Sequence, residues 1–208
     1  MKLSAVILAA GSGSRMGHRP KGLLELNGQT LIERLIESLW SVGIKDIVVV
    51  LGHYSDGFKH ILKDQPVRWV LNPDPERGQV SSQRMGLEQT SANADAILMA
   101  LADQPLIQAE DLKELINAFE TKEPQVMAVH PSVGGVPGNP VILTQASRQA
   151  ILQSEHDIGP KQWRQSNPNL VLGFKTSNLH FITDVDTEED LLKLKQEHGL
   201  NLTWSSGS

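Results

Sequence analysis

Two cations, Arg15 and Lys21, follow a run in which apolar residues 6–9 give way abruptly to Ala10-Gly11-Ser12-Gly13-Ser14. Glycine lets a backbone take φ > 0 and bring its N–H groups close to an anion, and Gly11, Gly13 and Gly17 are spaced for that use. Arg15 and Lys21 would add formal charge to those dipoles. The chemistry this suits is the binding of a nucleoside triphosphate. Leu8, Ala9, Ala10, Gly11, Gly13 and Ser14 are therefore expected to contact the nucleotide, with Arg15 and Lys21 on its phosphates. Two familiar phosphate loops are excluded by spacing. A G-x-G-x-x-G fingerprint from Gly11 would need glycine where Met16 stands, and no glycine is followed at P-loop spacing by Gly-Lys-Ser/Thr. The plainer alternative, a mobile Gly/Ser surface turn, does not account for a loop that follows a first strand and carries Arg and Pro-Lys at set offsets.

Oxygen donors complete the chemical inventory. Asp103 ends the apolar run 96–102, where a carboxylate is well placed to hold Mg²⁺, a hard cation that keeps several waters. Asp184 and Asp186 project to one side if 183–186 is extended, and offer a second metal ligand. Asp186 is the one assigned to the metal, with Asp184 as the competing choice and otherwise on the acceptor side. Asp190, at Thr187-x-x-Asp190, reads as a helix cap instead. Between these motifs, Asn72 ends a strand and Gly78 and Ser82 stand at the start of a helix, where free donors and hydroxyls could grip a nucleotide. Ordinary capping by these Ser and Gln residues is an equal alternative. Gly138, Asn139 and Pro140 lie in a bend that reads either as a hairpin or as an acceptor-binding loop.

The elements that must position these residues alternate. Leu3–Ala9 is apolar throughout most of its length, as a strand buried on both faces should be. Residues 23–27 read as a short extended piece closed by a turn at Gly28. Thr30-x-x-Glu33 is a capping box before a helix bearing Leu31, Leu35, Ile36 and Leu39, and Gly43 ends it. Asp46–Leu51 is a strand, and His53 follows at its tip with no chemistry assigned. Phe58, Ile61 and Leu62 mark a helix, 67–71 a strand, Val80 to Leu87 a helix, 96–102 a strand, and Leu112 to Phe119 a helix. Strands are then expected at 125–130, 139–143 and 170–174, with helices after Thr144, at 161–164 and after Thr187. Such alternation predicts right-handed βαβ units and a mostly parallel sheet, with one antiparallel element from the 132–143 region. Ligands of such sheets sit beyond the carboxyl ends of the strands.

Composition bounds the rest. A chain of 208 residues with 39% hydrophobic content suffices for one domain, placed at 1–200 with 201–208 as an unstructured tail. The formal charge of −5 argues against nucleic acid or an anionic membrane as a bulk electrostatic partner. Without cysteine there is no thiolate catalysis and no cysteine zinc site. The start of the chain has no signal-peptide pattern and no apolar run spans a membrane, so a cytoplasmic monomer is expected.

Four separated motifs, residues 8–21, Arg77-Gly78-Gln79-x-x-Ser82, Leu101-Ala102-Asp103-Gln104-Pro105 and Asp184-Val185-Asp186-Thr187, together resemble the molybdenum-cofactor nucleotidyltransferase family, the MobA-like NTP transferases. They are most similar to its molybdopterin cytidylyltransferase branch. The resemblance implies a three-layer α/β/α, Rossmann-like fold of the nucleotide-diphospho-sugar transferase kind. It also implies transfer of CMP from CTP to a phosphorylated, molybdopterin-type acceptor, with Mg²⁺ as cofactor and a molybdoenzyme as possible recipient of the product. Ala10, where the guanylyl branch has a second glycine, and Ser82 favour cytidylyl transfer within it. Asn139 replaces the histidine of the related Gly-His-Pro motif, and Glu188 a proline. Transfer to a sugar or polyol phosphate, and a non-catalytic accessory protein that carries nucleotide or cofactor, are the competing functions.

Overall fold

The computed structural model describes residues 1–154 and 156–204. Strand β1 (Leu3–Ala9) is buried from Ser4 onward because both of its faces are covered. Ala5, Ile7 and Ala9 join one buried cluster, while Val6 and Leu8 join another. Strands β2 (Glu25–Leu26) and β3 (Gln29–Thr30) form a small hairpin over Asn27-Gly28, both with positive φ as a two-residue turn of this kind requires. The capping box of Thr30 and Glu33 then opens α1 (Leu31–Ser41). The chain continues through β4 (Asp46–Leu51), α2 (Ser55–Leu62), β5 (Arg68–Leu71), α3 (Gln79–Gln89), β6 (Ala96–Leu101) and α4 (Ala109–Glu120). The second half adds β7 (Ala128–Val133), β8 (Val136–Pro137), β9 (Val141–Thr144), α5 (Gln145–Leu152), α6 (Pro160–Ser166), β10 (Val171–Thr176) and α7 (Glu188–His198).

The eight-stranded sheet runs β10-β7-β9-β6-β1-β4-β5, with β8 attached to β7. β6, β1, β4 and β5 are mutually parallel, as are β7 and β10, while β9 runs against both of its neighbours. This is the expected mostly parallel α/β sheet. The antiparallel element is β9, and β8 adds a second, short one, so the bend at Gly134-Gly135 is a hairpin turn. The reversal of β9 brings Asn139-Pro140 to the same end of the sheet as the carboxyl ends of β1 and β6.

Helices cover both faces. α1, α2 and α4 bury Ile32, Phe58 and Leu115 on one face, and α3, α5 and α6 bury Leu87, Ile151 and Trp163 on the other. α3 lies so close to β1 that a Cβ at Gly86 would stand 2.4 Å from Val6 Cγ1. A third cluster joins Met16, Leu24 and Leu106 to Val185, Leu194 and Leu202, tying the loop after β1 to α7.

Two local expectations are corrected. β7 is shifted three residues along from the expected 125–130, running past His130 because Pro131 and Ser132 continue its pairing with β10 despite their types. The segment set apart as a tail is docked as far as Trp204: Leu202 is buried, Thr203 bridges to Glu25 and the Trp204 ring stacks under Arg19 at 5.3 Å. Residues 205–208 lie outside the described residues. No helix among the described residues is long and apolar enough to cross a membrane.

Asp46 clamps the sheet at its amino end, accepting from the Ser4 hydroxyl, from Arg68 at 2.6 Å and from the Ser91 amide at 3.2 Å. Burial opposes its charge, but these donors outweigh burial and hold the carboxyl below its ordinary value of 3.8. A depressed carboxyl stabilises the fold above its unfolded pKa, and that contribution is lost as pH falls through the folded value. Asp46→Asn is therefore expected to lower the melting temperature by about 2–4 °C at pH 7. The gap to wild type should narrow below pH 3.8, as thermal unfolding at several pH values will show.

Candidate active site

A cleft of about 600 Å³ opens beyond the carboxyl ends of β1, β4 and β6, within the range of ordinary ligand sites. Its first wall is the loop after β1. Gly13 is left-handed with φ 56°, and a Cβ there would lie 2.0 Å from the Arg19 carbonyl oxygen. The Gly13 carbonyl accepts from Met16 and His18, Met16 is buried below, and the Tyr54 hydroxyl donates to the Ser12 carbonyl at 2.7 Å. The loop is thus fixed from both sides. Among the described residues the amides of Gly11, Ser12, Gly13 and Ser14 have no acceptor, so they remain free for an anion.

Gly11 differs from the sequence expectation, since it needs no positive φ and a Cβ there meets nothing within 4 Å. Its smallness serves the cleft and not the fold. Gly11→Val is expected to leave the melting temperature within about 2 °C of wild type. In a titration it should weaken nucleotide binding about tenfold or more, by filling space the ligand needs.

Cations and acids interlock in the second wall. The Lys21 ammonium donates to Asp103 at 2.5 Å and to Asp186 at 2.7 Å, and Arg15 pairs with the other oxygen of Asp186 at 2.8 Å. A backbone bond from the Val185 amide to the Asp103 carbonyl, 3.0 Å, draws the two acidic segments together. Val185 is fully buried, so alternation turns both Asp184 and Asp186 into the cleft. Burial opposes the charge of Lys21, yet the carboxylates of Asp103 and Asp186 outweigh it and hold the ammonium above its ordinary value. Asp186 is likewise disfavoured by burial but held low by Lys21 and Arg15. Asp184 is pushed up, first by burial and then by the Asp186 and Asp103 carboxylates. Asp190 forms the capping box with Thr187 and also accepts from the Asp186 amide.

The donor chemistry of this cluster fits a hard divalent cation. Asp103, Asp184 and Asp186 outnumber Arg15 and Lys21, and all three acids offer oxygen donors. Among the described residues no group of three ligating side chains is arranged as a ready cage, so an ion there would complete its shell with phosphate oxygens and water.

The third wall is the start of α3. Gly78 and Ser82 line the cleft, as do Gln79, Pro75 and Glu76. Ala10 lines it too, with its methyl turned toward Gly52, where a Cβ would lie 2.8 Å from it. Asn72 does not line the cleft: it is 3% exposed and sits behind Ser82, which corrects its assignment as a direct nucleotide contact. Gly138, Asn139 and Pro140 are also off the cleft. Gly138 and Asn139 pack against Phe181, whose carbonyl accepts from the Asn139 amide at 2.9 Å, and so support the segment leading to Asp184. His53 and Glu76, 3.7 Å apart, are cleft residues to which sequence assigned nothing. Their only signal was position beyond a strand. Gly22 lines the cleft against Phe58 and Ala102.

Residues 5–170 match the family model described as the MobA-like NTP transferase domain. The chain is 32% identical over 181 residues to the bifunctional protein GlmU of Sorangium cellulosum, covering 82% of this chain but only 38% of that protein's length. It is 29% identical over 197 residues to the nicotine blue oxidoreductase of Paenarthrobacter nicotinovorans, covering 92% and 96% of the two chains. Among solved structures, a nucleotidyl transferase from Methanothermobacter thermautotroptrophicus superposes with a TM-score of 0.76 at 25% identity, over 94% of this chain and 97% of that one.

Proposed function

The chain belongs to the MobA-like NTP transferase family, and from that premise we propose that it is a cytidylyltransferase. It would transfer CMP from CTP to the phosphate of molybdopterin or molybdenum cofactor and release pyrophosphate, its product destined for a molybdoenzyme. The observation that carries the reading is the meeting of unbonded loop amides and two cations with Asp103 and Asp186 in one cleft. The Leu8-Ala9-Ala10-Gly11 form of the loop and Ser82 support CTP as donor.

In this mechanism an oxygen of the acceptor's terminal phosphate attacks the α-phosphorus of CTP in line. The new O–P bond forms as the bond from the α-phosphorus to the bridging oxygen of pyrophosphate breaks. The attacking phosphate is already ionised near neutral pH, so positioning and charge neutralisation carry the rate and no general base is required. The Gly11–Ser14 amides hold the triphosphate, and Arg15 and Lys21 exchange their carboxylate partners for phosphate oxygens and stabilise charge on the leaving pyrophosphate. Asp103 and Asp186 would hold Mg²⁺, which would supply charge neutralisation at the phosphates. Asp184 stands on the acceptor side of these ligands.

The test is a melting shift with CTP, GTP and ATP, each with Mg²⁺, followed by pyrophosphate release with molybdopterin and with sugar phosphates. A selective response to CTP and turnover with molybdopterin are expected. Preference for GTP overturns the base assignment, turnover only with a sugar phosphate overturns the acceptor, and tight nucleotide binding without pyrophosphate makes the protein a carrier.

A further inference from the structure

Asn72 lies beneath the third wall of the cleft with every polar atom of its side chain engaged. Its Nδ2 donates to Ser81 Oγ and to Ser82 Oγ, each at 2.9 Å, and its Oδ1 accepts from the Asp74 amide at 3.0 Å. That last bond fixes which way the amide faces. Turned over, its nitrogen would meet another N–H donor and its oxygen would take the place of both donated bonds.

Both serines must therefore accept from Asn72, and each retains one hydroxyl proton to place. Ser81 gives its proton to the Gly78 carbonyl at 2.8 Å. Ser82 is 4% exposed, and among the described residues its hydroxyl has no acceptor. The opening it faces is the cleft it lines. α3 packs over β1 and β4, whereas Asp103 follows β6, so Ser82 lines a different wall of the cleft from the acidic cluster.

We infer that Asn72 is a positioning residue that sets the Ser82 hydroxyl as a hydrogen-bond donor into the cleft, so that the nucleobase bound there must present an acceptor to it, a keto oxygen or an unprotonated ring nitrogen. This rests on the proposed function only in taking the ligand to be a nucleoside triphosphate. Asn72 acts on the base through Ser82, without touching it.

The experiment is calorimetric titration with CTP and, separately, with inorganic tripolyphosphate, on Ser82→Ala, Asn72→Asp, Asn72→Ala and the double variant Ser82→Ala/Asn72→Asp. In Asn72→Asp a carboxylate oxygen replaces the amide nitrogen and draws the Ser82 proton away from the cleft. CTP affinity is expected to fall about tenfold in Ser82→Ala and in Asn72→Asp, with no further loss in the double variant. Asn72→Ala releases the hydroxyl without offering it an acceptor, so its loss should be smaller than that of Asn72→Asp. Tripolyphosphate, which lacks a base, should bind all four within about twofold of wild type. The proposal is overturned if Asn72→Asp binds CTP like wild type, if the two losses add in the double variant, if Asn72→Ala is the worse of the pair, or if tripolyphosphate affinity falls in parallel. If Asn72→Asp does not fold, the same cycle with Asn72→Ala decides, a loss that adds to that of Ser82→Ala being the refuting result. A wild type that prefers GTP refutes the CTP reading alone, and the cycle is then run with GTP.

Discussion

Asp103→Asn is expected to cut pyrophosphate release by about 10²–10³-fold while leaving the fold intact. Asparagine keeps the shape and one oxygen of the side chain but removes the charge that a divalent cation requires. The backbone that places the residue does not depend on that charge, since the Ala102 amide bonds to the Leu8 carbonyl and the Asp103 carbonyl accepts from Val185. In the free protein the cluster sets three acids, Asp103, Asp184 and Asp186, against Arg15 and Lys21. Removing one acid balances the remaining charges. The melting temperature should therefore stay within about 2–4 °C of wild type, roughly the effect of 1 kcal/mol in a chain of this size. Turnover near the wild-type rate would remove Asp103 from the metal site.

Lys21→Met carries the second large effect, and it acts in two directions. Loss of the ammonium should slow transfer by about 10²–10³-fold, the usual consequence of deleting a preorganised charge that stabilises a developing anion. That ammonium, however, lies between Asp103 and Asp186 and pairs with both. Methionine fills similar space without charge and leaves the two carboxylates facing each other and Asp184. Mn²⁺ titrated without nucleotide should bind the variant about tenfold or more tightly than it binds wild type, because the ammonium between the two carboxylates no longer has to be displaced. Electron paramagnetic resonance of free Mn²⁺ measures this directly. Equal affinity in the two proteins would show that Lys21 does not occupy the space the ion needs.

The acidic half of the site shows how far sequence carries. The pattern Asp184-Val185-Asp186 implies that the two acids share a side once the segment is extended, and the burial of Val185 is what makes them point into the cleft. Their partners were not legible, since Lys21 and Asp103 stand 82 residues apart and Lys21 and Asp186 stand 165 apart. Sequence put the cations on the phosphates and the acids on the metal as two separate halves. The fold closes them on each other.

Asn72 and the Gly138–Pro140 bend failed for a different reason. Both carry residue types that suit ligand contact and both lie at the correct end of the sheet, so position alone placed them in the site. Whether such a residue reaches the cleft or sits one layer behind it depends on the depth at which a neighbouring helix or loop packs. Here α3 interposes Ser82 before Asn72, and Phe181 takes the bend.

Local chemistry in the chain by itself determined the elements and the glycine-rich loop after β1. Capping boxes at Thr30 and Thr187, the apolar run of β1 and the spacing of Gly11, Gly13, Arg15 and Lys21 each act through neighbours within a few residues, and a few residues are what a sequence displays. Tertiary structure alone decided that Lys21 bridges Asp103 and Asp186, that Asn72 sits behind Ser82 and donates to it, and that residues 202–204 dock beside Glu25. Those outcomes depend on strand order, on the reversal of β9 and on helix depth. Each is settled by packing both faces of the sheet at once, and no short stretch of the chain encodes it.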